Sequence, residues 1–143
     1  MELIFGGAYQ GKLAYLKRHI GLSEEKIGFC NAETPSIPSD TAAVCGLHLY
    51  ILAAIRAGID PLEEIRRTFS KDSEVIVLCD DLSACLVPMD PEQRLWRELT
   101  GKALQYLAGE SSRVIRIFCG IESVLKDERF AFYPLASWAD AGQ

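Results

Sequence analysis

Residues 6–12 read Gly6-Gly7-Ala8-Tyr9-Gln10-Gly11-Lys12, a GxxxxGK spacing that follows directly on the apolar run Leu3-Ile4-Phe5. Glycines let a backbone wrap closely around phosphate oxygens, the amides and the start of the next helix present positive dipole, and a lysine adds a point charge. The motif sits between a predicted strand and a predicted helix, the context its mechanism requires. Gly6, Gly7, Ala8, Tyr9, Gln10, Gly11, Lys12 and Leu13 are therefore the candidate nucleotide-binding residues, their amides expected to curl into an anion nest. Lys12 is also a candidate catalytic group, since a cation there stabilises charge on a transferring phosphoryl. The competing reading is a tight turn carrying a solvated lysine. Position 13 departs from the motif: Leu13 stands where a Ser or Thr hydroxyl would help hold Mg²⁺, which weakens metal-assisted transfer.

A second set of groups lies downstream. Asp80 and Asp81 close the run Val75–Cys79, at the crevice position where a carboxylate orients Mg²⁺ or a hydroxyl; the alternative is a helix cap or a solvated turn. Arg94 and Arg97 fall on a predicted helix and could reach an anionic substrate or simply face solvent. Cys30, Cys45, Cys79, Cys85 and Cys119 are odd in number, scattered and without a CxxC pair, so they read as buried thiols. His19 and His48 have no second ligand at metal spacing and read as satisfied surface or core residues.

The elements that must carry these groups alternate along the chain. Leu3–Phe5 reads as a short buried strand ending at Gly6-Gly7, and Leu13, Leu16 and Ile20 mark a helix from Lys12, closed by Gly21. Lys26–Phe29 is a short strand candidate; Asn31–Asp40, with Pro35 and Pro38, reads as a mobile loop. Thr41–Cys45 suits a buried strand, Leu47–Ala57 a helix stopped by Gly58, and Asp60-Pro61 the cap and first turn of another with Leu62, Ile65 and Phe69 on its apolar face. Val75–Cys79 has the β-branched composition of a strand covered on both faces. Glu92–Ala108 reads as a helix interrupted at Gly101, and Val114–Cys119 as a further strand. The alternation predicts one three-layer α/β domain over 1–143 with a mostly parallel sheet, its ligand at the C-terminal strand ends and its tail from Tyr133 loosely held.

Composition narrows the partners. With 143 residues, 49% hydrophobic, the chain suits one domain with a substantial core. A net charge of -5 supplies no broad cationic field for nucleic acid. No apolar run approaches the roughly 18–20 residues of a bilayer span, and the N-terminus has no basic lead-in with a hydrophobic signal core, so a cytoplasmic protein is expected.

These residues together resemble the bifunctional adenosylcobinamide kinase and adenosylcobinamide-phosphate guanylyltransferase family of cobalamin biosynthesis. Leu3 through Lys12 is similar to the family's strand and "GGARSGKS" loop, including the paired glycine followed by alanine. Val75–Ala108, with VIVLCDDLSACLVP and then RLWRELTGKALQYLA, resembles "VLVTNEVGxGIVP" followed by "RxFRDxxGxxNQxLA". Val114–Lys126, VIRIFCGIESVLK, resembles the closing strand and its "SGIPxxLK" ending.

The resemblance implies a P-loop NTPase-like domain in which Gly6, Gly7, Gly11 and Lys12 hold nucleotide phosphates. Asp81 stands where the family has its glutamate, a catalytic and metal-ligand candidate beside Asp80, and Arg97 and Gln105 match the arginine and glutamine of its long helix as substrate contacts. It implies phosphoryl transfer from ATP or GTP, with Mg²⁺, to the aminopropanol hydroxyl of cobinamide, in a cyclic homo-oligomer for which a trimer is the leading expectation. Leu13, Gln10, Ser83 and Cys85 depart from the family's pattern, no HxxxR segment occurs, and Ala43-Val44-Cys45 replaces a strand ending in Asp-Cys. The expectation therefore does not extend to guanylyl transfer. The alternative is a family member without catalysis that binds a nucleotide, a corrinoid or a protein.

Overall fold

The computed structural model describes residues 1–83 and 89–128; the expectations for Cys85 and for the tail after Tyr133 lie outside those residues. Six strands form one sheet: β1 (Glu2–Gly6), β2 (Ile27–Phe29), β3 (Ala43–Cys45), β4 (Ile76–Asp80), β5 (Arg113–Phe118) and β6 (Ile121–Asp127), in the order β2-β3-β4-β1-β5-β6. Every neighbouring pair is parallel except β5 and β6, which form an antiparallel hairpin at the edge. The α/β class and the mostly parallel sheet agree with the sequence patterning.

Strand alternation divides the apolar residues between two layers. Leu3, Val44, Val77, Cys79 and Val114 face one side, where they meet α2 (Leu47–Ala57), α3 (Pro61–Thr68) and α4 (Pro91–Glu110) through Tyr50, Ile51, Ile65, Ala103 and Leu107. Ile4, Ala43, Leu78, Ile115 and Ile117 face the other side, against Tyr15 and Leu16. One helical segment therefore covers one face and three helices the other.

Local chemistry accounts for most boundaries. Gly58 closes α2 in the left-handed region at φ 72°, and the Asp60 side chain accepts from the Leu62 amide at 3.0 Å, capping α3 with Pro61 in its first turn. Asp90 does the same for α4. Two expectations need revision. The helix from Lys12 is α-helical only over α1 (Lys12–Tyr15) and continues as a π-helix over Leu16–Ile20 before Gly21 ends it. Gly101 does not interrupt α4, because flanking turns packed through Ala103 and Leu107 outweigh a glycine's modest helix cost. Leu95, at helical spacing with Leu99 and Ala103, is nevertheless exposed.

Candidate functional site

The chain leaves β1 toward one face of the sheet and β4 toward the opposite face, so a crevice opens at the C-terminal ends of these two adjacent parallel strands. The loop from Gly7 to Gly11 spans that crevice. Gly6 pairs with Asp80 in the β1–β4 register, and the Asp81 amide donates to the Gly6 carbonyl at 2.8 Å. A Cβ at Gly6 would lie 2.3 Å from the Ile117 carbonyl oxygen, so only glycine permits this approach to β5.

Gln10 and Gly11 brace the far side of the loop. The Gln10 Oε1 accepts from the Cys119 amide at 2.6 Å, and the Gln10 carbonyl accepts from the Gly120 amide at 2.8 Å, tying the loop to the β5–β6 turn. Gly11, at φ 96°, then turns the chain into α1. The loop borders a cleft of about 390 Å³ lined by Tyr9, Gln10, Gly11, Lys12, Leu13, Ala14, Cys45 and Asp80.

Lys12 is buried at the base of this cleft, not solvated. Its Nζ lies 2.7 Å from Asp80 Oδ1 and donates to the carbonyls of Gly7 at 2.8 Å and Gly6 at 3.3 Å. Asp80 makes the pairing because strand alternation places it on the α1 side of the sheet, with Ile76 and Leu78. Asp81 falls one residue beyond the strand, where its Oδ1 accepts from the Ser83 amide at 2.9 Å and the Ser83 hydroxyl at 2.6 Å. The two carboxylates thus have different surroundings: Asp80 faces Lys12, and Asp81 organises the turn that follows.

His48, which by its sequence reads as a satisfied surface or core histidine, completes the cluster. Gly46, at φ 79°, donates to the Leu78 carbonyl at 3.0 Å and starts α2 so that His48, in its first turn, points at the end of β4. The Asp80 amide donates to His48 Nδ1 at 3.1 Å, and Nε2 lies 3.3 Å from Asp80 Oδ2. Burial lowers the His48 pKa from its ordinary value; Asp80 opposes this and Lys12 reinforces it. A neutral ring with its proton on Nε2 satisfies both contacts. Trp96 packs beside it, the ring centroids 6.2 Å apart, and donates from Nε1 to the His48 carbonyl at 2.7 Å. The available signal was positional, because residues following parallel strands collect at this edge.

Arg97 and Gln105 also come together, in a groove of about 530 Å³ along α4 with Arg94 and Lys102. Arg97 donates to the Ser83 carbonyl at 2.8 Å, which joins this groove to the β4 turn and hence to the cleft. Of the cysteines, Cys30 and Cys79 are buried, Cys45 borders the cleft and Cys119 is exposed. Burial is the main reason the Cys45 thiol titrates high.

The donor set does not fit a Mg²⁺ site of the usual phosphate-loop kind. Leu13 offers no oxygen, Asp80 is engaged by Lys12 and His48, and Asp81 is engaged by Ser83. Among the described residues, no group of three or more His, Cys, Asp or Glu could hold a metal ion. Among the same residues, no helix is long and apolar enough to cross a membrane. Compared with models of protein families and with curated proteins, the chain matches none.

Proposed function

We propose that the cleft binds the phosphates of ATP or GTP in a P-loop NTPase-like manner, and that the protein transfers the γ-phosphoryl to the aminopropanol hydroxyl of cobinamide. What supports this is the contact of Lys12 with Asp80 at 2.7 Å at the base of a cleft bordered by the glycine loop. An entering phosphate competes with the Gly6 and Gly7 carbonyls and with Asp80 for the Lys12 ammonium, and it is the better acceptor because its charge is larger.

Once Lys12 moves to the phosphates, Asp80 Oδ1 is free to accept the proton of the acceptor hydroxyl. The acceptor oxygen forms its bond to the γ-phosphorus as the bond to the nucleoside diphosphate breaks, and the diphosphate keeps that electron pair. The groove holding Arg94, Arg97 and Gln105 reaches Ser83, three residues beyond Asp80, and suits polar groups of the acceptor. A homo-oligomer, with a trimer as the first expectation, and a cytoplasmic setting belong to this same reading.

A second reading, nucleotide binding without transfer, is favoured by one observation: Leu13 leaves the loop without the hydroxyl that would help organise the terminal phosphates. Calorimetric titration of ATP and GTP, with Mg²⁺ and with EDTA, followed by incubation of γ-labelled nucleotide with cobinamide, tests both. Binding that persists in EDTA, with label transferred to the corrinoid, supports the first. Binding without transfer selects the second, and no binding removes both.

A further inference from the structure

Tyr9 combines a left-handed backbone with a fully exposed ring. Its backbone lies in the left-handed region at φ 60°, which asparagine or glycine tolerates but a bulky aromatic residue rarely adopts. Its side chain is fully exposed, at 104%, whereas Tyr15 and Tyr50 are buried at 6% and 1%. The flanking chain fixes this geometry: Gln10 is tied at both its side chain and its carbonyl to the β5–β6 turn, and a Cβ at Gly11 would lie 3.4 Å from the Gly120 Cα. The ring therefore stands on the rim of the cleft that has Lys12 and Asp80 at its base.

An exposed aromatic face held on such a rim has the chemistry of a stacking platform. Lys12 and the loop amides recognise phosphate oxygens, which are the same in every nucleotide, whereas the π-face of a tyrosine recognises a planar ring. We propose that Tyr9 stacks on the purine base of the nucleotide whose phosphates occupy the loop, so that one short segment binds both ends of the ligand. This rests on the phosphate-site reading above and adds the residue that separates a nucleotide from a bare polyphosphate. Base–aromatic stacking of this kind contributes on the order of tenfold in affinity.

The test compares inorganic triphosphate, ATP and GTP in competition titrations on the full chain, with wild type, Tyr9→Phe and Tyr9→Gly. Glycine relaxes the left-handed backbone, so the last variant retains the fold while losing the ring. Wild type and Tyr9→Phe should bind nucleotide about tenfold more tightly than triphosphate, and in Tyr9→Gly that ratio should fall toward one. Triphosphate binding with an unmoved ratio in Tyr9→Gly overturns the stacking role alone. If Tyr9→Gly instead changes only the sedimentation coefficient, the ring contacts protein and the proposal is wrong. Failure of wild type to bind triphosphate overturns the phosphate-site reading, and this proposal with it.

Discussion

His48 and Asp80 hold each other at two points: the Asp80 amide donates to Nδ1 at 3.1 Å, and Nε2 stands 3.3 Å from Oδ2. The arrangement leaves Oδ1 as the oxygen turned toward Lys12, at 2.7 Å. One carboxylate is thereby shared between an imidazole and an ammonium.

The first consequence is a pH dependence of folding. Burial, the largest influence, puts the folded His48 below the ordinary 6.5, so between the two values the unfolded chain binds more protons than the folded one. Stability from this group is complete above 6.5 and is lost as pH falls toward the folded value. Urea unfolding midpoints measured at several pH values should decline more steeply on acidification for wild type than for His48→Gln. Equal slopes would show that His48 is not held neutral.

Asp80 and Lys12 should respond to substitution in opposite directions. Lys12→Met removes a charged donor from the phosphates at a cost of about 2 kcal/mol, or roughly thirtyfold in nucleotide affinity. Asp80→Asn removes the acceptor that competes for Lys12, so nucleotide binding should tighten by several-fold while phosphoryl transfer is lost. Calorimetry and γ-label transfer distinguish these outcomes, and weaker binding in Asp80→Asn would contradict the displacement of Lys12 by phosphate.

Two glycines provide a contrast in stability. A Cβ at Gly6 would lie 2.3 Å from the Ile117 carbonyl oxygen, which belongs to the rigid β5 backbone, so Gly6→Ala should destabilise by about 2–3 kcal/mol. Gly101 lies within α4 with nothing within 4 Å of an added Cβ, so Gly101→Ala should stabilise by about 1 kcal/mol. Chemical unfolding checks both signs.

Thiol labelling should report burial. Cys30 is buried and its pKa is pushed up to about 12, chiefly by desolvation, and Cys79 is buried and raised for the same main reason. Cys119 is exposed. Iodoacetamide at pH 8 should modify Cys119 in the folded protein and reach Cys30 and Cys79 only on unfolding, because the thiolate is the reacting species. Mass spectrometry of the digested protein reads this directly.

Much of the architecture was legible from local chemistry. Leu47–Ala57 ends at Gly58 as its pattern predicts, Asp60-Pro61 begins α3, and the GxxxxGK segment bridges β1 and α1. Each depends on residues within a few positions of one another, and backbone preferences act over that range. The π-helical turn after Tyr15 and the antiparallel β6 carried weaker local signals, and β6 is defined by its pairing with β5.

The partners of Lys12 were decided by tertiary structure. Sequence placed Asp80 and Asp81 at one strand end without separating them, whereas the Gly6–Asp80 register and the alternation of β4 put only Asp80 on the α1 side. His48 lies 32 residues from Asp80 and meets it because β3 pairs with β4 and Gly46 turns α2 over their ends. The residue types on this chain thus specified a glycine-rich turn between a strand and a helix, and long-range strand pairing selected the carboxylate and the imidazole that stand against its lysine, since contact between distant segments follows from register and not from spacing along the chain.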